Sequence, residues 1–171
     1  MQERSGATTM HGNPLTLVGK VLNPGDDAPD VELLDNDLQP IRISSFKDKV
    51  CVISAVPSLD TPVCDVETRR FNQEAGKLGD QVVILTVSMD LPFAQKRWCA
   101  AAGVDRVTTL SDHRGADFGT AYGVLIKELR LLARAIFVVD TTGRIQYTQL
   151  VKEVGAEPDY DAVLAAVKTL V

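Results

Sequence analysis

The stretch PSLDTPVCDVETRRFN, residues 57–72, places a cysteine at the start of a charged, amphipathic segment. Thr61 is suited to cap a helix and Pro62 to be its first residue, because a proline has no N–H to leave unpaired there. Cys64 would then be the third helical residue, where the free N–H groups of the first turn favour an anion. A thiol at this position can react as a nucleophilic thiolate, although a small buried side chain is the simpler interpretation.

The helix N-terminus by itself stabilises a thiolate too little to keep the thiol ionised. A helix N-terminus contributes about 0.3 to 1 kcal/mol, and at most about 2, whereas a charge-assisted hydrogen bond contributes roughly 1.5 to 3. Arg134 lies in the apolar segment LLARAIF, where a cation without a partner would be costly. We expect it to face the thiolate, the alternative being an arginine at a strand edge with its head in water.

The chain has three cysteines, at positions 51, 64 and 99, and two histidines, with no Cys-x-x-Cys motif. This set argues against a structural zinc site and against a disulfide-stapled secreted scaffold, and no motif indicates a metal or another cofactor. Cys51 lies in the apolar run VCVISAV and is interpreted as an inert core thiol. Cys99 lies in a second helix-like segment, for which Asp90 is the expected cap, and an unreactive half-buried thiol is its simpler interpretation.

Apolar runs rich in valine and isoleucine mark the strands of a central sheet, because such runs suit strands covered on both faces. They lie at residues 50–56, 82–88, 107–111 and 135–140. Helix-like segments separate the first three runs. Residues 145–151 are predicted to pair antiparallel with the last run.

Shorter elements surround this sheet. Two short strands flank the Asp-Asn-Asp turn at residues 35–37, and an N-terminal hairpin is expected over residues 15–23, with its turn near Gly19. A helix with one apolar stripe closes the chain over residues 160–171. The order of elements predicts an α/β fold, with a mixed central sheet and helices on both faces.

Size and charge limit the possible functions. The 171 residues, 45% of them hydrophobic, suit a single domain over 1–171. The net charge is −5 and the basic residues are scattered, so we expect no nucleic acid and no anionic membrane as partner. No segment is apolar over the length needed to span a bilayer, and we expect a cytoplasmic protein whose partners are small molecules or proteins.

Pro57, Thr61 and Cys64 together form Pro-x-x-x-Thr-x-x-Cys, which resembles the active-site signature of the peroxiredoxins. The likeness continues through SMDLPFAQKRWC, FGTAYGV and LLARAIFVVD, in the order typical of the thiol peroxidase subfamily, and covers essentially the whole chain. It implies a thioredoxin-like fold with an N-terminal hairpin, a homodimer of the atypical two-cysteine type, and no cofactor. The implied activity is reduction of hydrogen peroxide and organic hydroperoxides, with thioredoxin as the reductant.

The resemblance also implies a role for each matching residue. Cys64 would be the peroxidatic cysteine and Cys99 the resolving cysteine, joined in an intramolecular disulfide during turnover. Thr61 would hydrogen-bond the thiolate and the peroxide, Pro57 would shield the pocket, and Arg134 would be the cationic partner. No position of the signature departs from the pattern.

Two other functions remain open from the residues. A disulfide oxidoreductase of the thioredoxin type is disfavoured because the chain lacks Cys-x-x-Cys. A peroxide-sensing thiol-disulfide relay would use the same oxidation of Cys64 to oxidise a partner protein. Turnover separates the relay from a peroxidase, because only the peroxidase cycles without a client protein.

Overall fold

The computed structural model describes all 171 residues of the chain. The strands are β1 (Glu3–Met10), β2 (Asn13–Val18), β3 (Glu32–Leu34), β4 (Pro40–Arg42), β5 (Val50–Ala55), β6 (Val82–Ser88), β7 (Val107–Ser111), β8 (Leu125–Ile126), β9 (Leu131–Leu132), β10 (Ala135–Val139) and β11 (Ile145–Leu150). The α-helices are α1 (Pro62–Leu78), α2 (Pro92–Ala102), α3 (Asp117–Ala121) and α4 (Tyr160–Lys168). None of these helices is both long enough and apolar enough to cross a bilayer.

Seven strands form the central sheet, in the order β11-β10-β5-β6-β7-β3-β4. β5, β6 and β7 are parallel, whereas β10 and β3 join them antiparallel from either side. The parallel strands are buried on both faces, which explains their valine and isoleucine runs. The predicted strands at residues 82–88 and 107–111 are confirmed with the same bounds, and so is the antiparallel pairing of the last two strands.

The two faces of the central sheet are covered differently. α1 and α4 pack on one face, where Phe71, Val163 and Val167 complete the core. α3 and a second, four-stranded sheet, in the order β1-β2-β8-β9, cover the other face through Leu17 and Phe118. The predicted α/β fold, with a mixed sheet and helices on both faces, is therefore confirmed.

The N-terminal hairpin lies earlier in the chain than predicted. Its strands are β1 and β2, so the expected position over residues 15–23 is wrong. The turn is formed by His11 and Gly12, which both have positive φ, as a two-residue hairpin loop requires. Gly19 serves a different purpose, because a Cβ there would lie 2.1 Å from the carbonyl oxygen of Thr120. The glycine marks a close approach of two backbones, and the sequence pattern does not distinguish this from a turn.

Candidate active site

The two candidate cysteines are carried by helices that follow neighbouring parallel strands. β5 leads into α1, which contains Cys64, and β6 leads into α2, which contains Cys99. Because parallel strands end at the same edge of a sheet, the connections after β5 and β6 lie side by side. The chain order thus brings the two cysteine-bearing segments to one edge of the molecule.

The first turn of α1 has the predicted cap. Thr61 is extended, with φ −133° and ψ 151°, and its Oγ1 accepts a hydrogen bond from the Cys64 N–H at 3.4 Å. Pro62 is the first helical residue, as expected. The Thr61 hydroxyl donates its own proton to the carbonyl oxygen of Ser58 at 3.0 Å. Cys64 is therefore the third residue of the helix, among N–H groups that no preceding turn can satisfy.

Cys64 is completely buried in a small apolar cluster with Val56 and Leu59, against which Trp98 of α2 packs. Pro57, which follows Val56 in the connection between β5 and α1, is also buried. Beside the cluster lies a cavity of about 540 Å³, whose apolar lining includes Leu59, Phe93 and Trp98. The thiol is thus shielded from bulk water, and the neighbouring cavity, which also has Asp60, Asp90 and Arg97 in its lining, shares Leu59 and Trp98 with the cluster that covers it.

Arg134 is buried, with 2% of its side chain exposed, and makes two hydrogen bonds. Its Nη1 donates to Oε2 of Glu67 at 2.9 Å, and its Nε donates to the carbonyl oxygen of Val154 at 3.0 Å. The alternative of an arginine with its head in water is therefore excluded, but the expected contact with the thiolate is not seen, since no hydrogen bond joins Arg134 to Cys64 in this arrangement. Nη2 makes no hydrogen bond within the protein, which leaves one edge of the guanidinium free.

Glu67 is the functional candidate that sequence reasoning missed. It follows Cys64 by three residues, so the two side chains lie on the same side of α1. Glu67 is completely buried, and its Oε1 has no hydrogen-bond partner. Burial raises the pKa of this carboxyl to about 7, although the Arg134 guanidinium acts in the opposite direction. The signal available in the sequence was an acid one turn after the cysteine, at a spacing that puts it on the helix face of Cys64, Thr68 and Phe71.

Cys99 points away from the Cys64 cluster. Its side chain is partly exposed, and its Sγ lies 3.5 Å from Oγ1 of Thr109 in β7. The preceding residue, Trp98, is the one that packs towards Cys64. All three cysteines are free thiols, so the structure does not bring the two predicted redox partners together.

Cys51 lies on the other face of the sheet, within the core between β5 and the second sheet. It is 3% exposed, and its Sγ contacts the carbonyl oxygens of Phe46 and Lys49 at 3.5 and 3.7 Å. Burial raises the pKa of the Cys51 thiol to about 11. This environment suits the predicted inert core thiol, because the thiolate is the reactive form.

The prediction that Asp90 caps α2 is wrong. The capping position belongs to Leu91, which has no side-chain cap, and the Asp90 carboxylate instead accepts hydrogen bonds from Ser58, Leu59 and Ser88. Ser58 and Leu59 lie in the connection after β5 and Ser88 ends β6, so none of these donors belongs to the helix. No group of three or more histidine, cysteine, aspartate or glutamate side chains is arranged to hold a metal ion.

Comparison with known proteins places these features in a family context. Residues 23–164 match the family model described as Redoxin. The chain is 60% identical over 157 residues to the thiol peroxidase of Oceanobacillus iheyensis, covering 92% of this chain and 95% of that protein. It is 53% identical over 163 residues to the thiol peroxidase of Bacillus subtilis, covering 95% and 97%. The crystal structure of a peroxiredoxin-like protein from Aquifex aeolicus has a TM-score of 0.91 at 46% identity, covering 97% of this chain and 98% of that one.

Proposed function

The chain belongs to the redoxin family, and we propose that it works as a thiol peroxidase in which Cys64 attacks the hydroperoxide. Its relatives over nearly the whole length are thiol peroxidases, and the chain is an oxidoreductase that acts on peroxides. Its mixed sheet with flanking helices is the thioredoxin-like fold expected from the sequence. The observation that carries the assignment of Cys64 is its position in the first turn of α1, capped by Thr61 and covered by apolar side chains.

In the first step the Cys64 thiolate attacks the terminal oxygen of the hydroperoxide ROOH. An S–O bond forms, the O–O bond breaks, and RO⁻ leaves as the alcohol, or as water when the substrate is hydrogen peroxide, after taking up a proton. The sulfur loses two electrons and becomes a sulfenic acid. In this proposal Thr61 and Arg134 stabilise the thiolate and the charge that develops on oxygen, and Pro57 shields the pocket.

In the second step the Cys99 thiol attacks the sulfur of the sulfenic acid. An S–S bond forms within the chain, the S–O bond breaks, and water leaves. Thioredoxin then reduces the disulfide by thiol-disulfide exchange, and no metal or organic cofactor takes part. Because Cys64 is buried and Cys99 points to Thr109, both segments must open locally before the bridge can close.

The exposed apolar side chains at the start of α2 and on α1 support the proposal that the protein is a homodimer. Leu91 is 52% exposed, Phe93 67% and Val66 51%. Exposed apolar side chains are common at protein interfaces, and these three lie on the two helices that carry the candidate cysteines or directly before them. The protein is expected to work in the cytoplasm, where thioredoxin keeps thiols reduced.

A coupled assay tests the proposal. The protein is mixed with hydrogen peroxide or cumene hydroperoxide, thioredoxin, thioredoxin reductase and NADPH, and NADPH consumption is followed. We expect one NADPH oxidised for each peroxide reduced over many turnovers, and no turnover in Cys64→Ser. Consumption that stops after one equivalent per chain would contradict the peroxidase and indicate a thiol-disulfide relay.

A further inference from the structure

The Asp90 carboxylate joins the two connections that lead to the cysteine-bearing helices. Its Oδ1 accepts from the Ser58 hydroxyl at 2.7 Å, and its Oδ2 accepts from the Leu59 N–H at 2.8 Å and from the Ser88 hydroxyl at 2.9 Å. Ser58 and Leu59 belong to the connection between β5 and α1, whereas Ser88 ends β6. An ionised carboxylate that accepts three hydrogen bonds is held more firmly than a neutral acceptor would be.

The bonds of Asp90 continue to Cys64 through a short series of contacts. The carbonyl oxygen of Ser58 accepts the Thr61 hydroxyl, and the Thr61 oxygen in turn accepts the Cys64 N–H. Leu59, held by its N–H, places its side chain in the apolar cluster that covers Cys64. Release of residues 58 and 59 would therefore loosen both the cap of α1 and the cover over its thiol.

The same carboxylate is tied to the helix that carries Cys99. The Ser88 hydroxyl, which donates to Asp90, accepts a hydrogen bond from Nε2 of Gln95 at 2.9 Å. Gln95 lies in α2, is completely buried, and also donates to the carbonyl oxygen of Leu110 at 2.8 Å. The network thus runs from the start of α1, through Asp90 and Ser88, into α2.

We propose that Asp90 is a positioning residue that holds the two cysteine-bearing segments in the closed arrangement and sets how readily they open. The closed arrangement keeps Cys64 capped and buried for attack on peroxide, and keeps Cys99 directed towards Thr109. The opening of both segments is what lets the Cys99 thiol reach the sulfenic sulfur, with formation of the S–S bond and loss of water. The kinetic consequence of this inference rests on the proposed function, whereas its structural consequence does not.

The structural consequence is tested first, without peroxide. Hydrogen exchange is measured on the reduced protein and on Asp90→Ala, with Asp60→Ala as the matched control. Asp60 is exposed, lies in the same loop, and its carboxylate makes no hydrogen bond. We expect amides of residues 58–67 to exchange about tenfold faster in Asp90→Ala and to be unchanged in Asp60→Ala. Equal exchange in this segment in all three proteins would overturn the inference, whatever the activity.

The kinetic consequence is tested by stopped-flow fluorescence. The single tryptophan, Trp98, packs against the Cys64 cluster and serves as the probe. We expect the rate of disulfide formation, divided by the rate of Cys64 oxidation, to rise about tenfold in Asp90→Ala, and the overoxidised fraction at high peroxide to fall. A general loss of stability would not shift this ratio. An unchanged or lower ratio in an Asp90→Ala variant that still cycles would contradict the role of Asp90 but leave the proposed function intact. A wild-type protein without peroxidase activity would contradict the proposed function.

If Asp90→Ala does not fold, Ser58→Ala provides a milder test, because it removes only one of the three hydrogen bonds that the Asp90 carboxylate accepts. It should raise the same ratio by a smaller factor. In the double variant, Ser58→Ala should add less than it does alone, because the Ser58–Asp90 bond is already lost and only the bond that Ser58 accepts from the Asp60 N–H remains to be removed. Fully additive effects of the two substitutions would show that they act separately, and would count against Asp90 as the residue that holds the loop.

Discussion

Arg134 and Glu67 form a buried ion pair, with Nη1 and Oε2 2.9 Å apart and at most 2% of either side chain exposed. The pair joins the start of β10 to α1 one turn after Cys64. Removal of one member of a buried pair leaves the other without compensation, which typically costs about 3 to 5 kcal/mol. A substitution of Glu67 or Arg134 should therefore change both the stability of the fold and the cation proposed for catalysis.

The first prediction concerns the pH dependence of stability. Burial raises the pKa of Glu67 from 4.5 to about 7, so the folded protein binds this proton more tightly than the unfolded chain. Its contribution to stability is present in full below pH 4.5 and is lost as the pH rises through 7. We expect the free energy of unfolding, measured in urea, to fall less over this range in Glu67→Gln than in wild type.

Asp112 contributes with the same sign, because burial raises its pKa to about 6. The slope should therefore decrease in Glu67→Gln but not disappear. Parallel pH curves for wild type and Glu67→Gln would show that Glu67 titrates in the folded protein as it does in the unfolded chain.

The second prediction separates the two roles of Arg134. Arg134→Met should slow peroxide reduction by about 10²- to 10³-fold, the range for removal of one donor to a developing charge. It should also destabilise the fold, since Glu67 is left buried without its cation. The double variant Glu67→Leu/Arg134→Met removes both charges, and we expect it to recover stability but not the rate of peroxide reduction or of Cys64 alkylation. Recovery of the rate together with stability would indicate that Arg134 acts only through the fold.

The strands and the start of α1 could be predicted because their signals are local. Valine and isoleucine runs encode burial on both faces, and Thr61 and Pro62 encode a helix start. β1 was missed because its sequence, ERSGATTM, has no apolar alternation, and only Thr8 in it is fully buried. Its Oγ1 donates to the carbonyl oxygen of Lys152, a contact across the fold that no local pattern reveals.

The partner of Arg134 and the role of Asp90 could not be predicted for the same reason. Glu67 and Arg134 are brought together only by the packing of α1 on the sheet, since 67 positions separate them in sequence. Asp90 stands directly before Leu91 and Pro92 and looks like a helix cap. Its carboxylate is drawn instead to the donors of the neighbouring connection, which reach it because β5 and β6 are adjacent and parallel.

The third prediction is that Cys51 serves packing only. Cys51→Ala should lower the free energy of unfolding by about 1 kcal/mol, the typical effect of a small core defect. Turnover should remain within about twofold of wild type, because Cys51 lies in the core of the opposite face of the sheet from α1. Urea unfolding and the coupled peroxidase assay check both parts. Lost turnover at unchanged stability would assign this thiol a part in the chemistry.

The fourth prediction concerns the bridge between Cys64 and Cys99. Cys99→Ser should fold normally, because a serine hydroxyl can keep the polar contact with Thr109. It should complete one fast reaction with peroxide, lose thioredoxin-dependent cycling, and overoxidise more readily to the sulfinic acid, since no thiol remains to resolve the sulfenic acid. Rapid-quench mass spectrometry of wild type and Cys99→Ser follows each of these states.

The connectivity is checked by peptide mapping of the peroxide-treated wild type under non-reducing conditions. We expect the peptide that contains Cys64 to be linked to the peptide that contains Cys99, with the protein migrating as a monomer on a denaturing gel. Hydrogen exchange should change around both cysteines and little elsewhere, because the bridge requires only that the first turn of α1 and the segment around Cys99 open. A bridge between Cys51 and Cys64 would require unfolding across the sheet, and its detection, or that of a Cys64 bridge between chains, would contradict the intramolecular assignment.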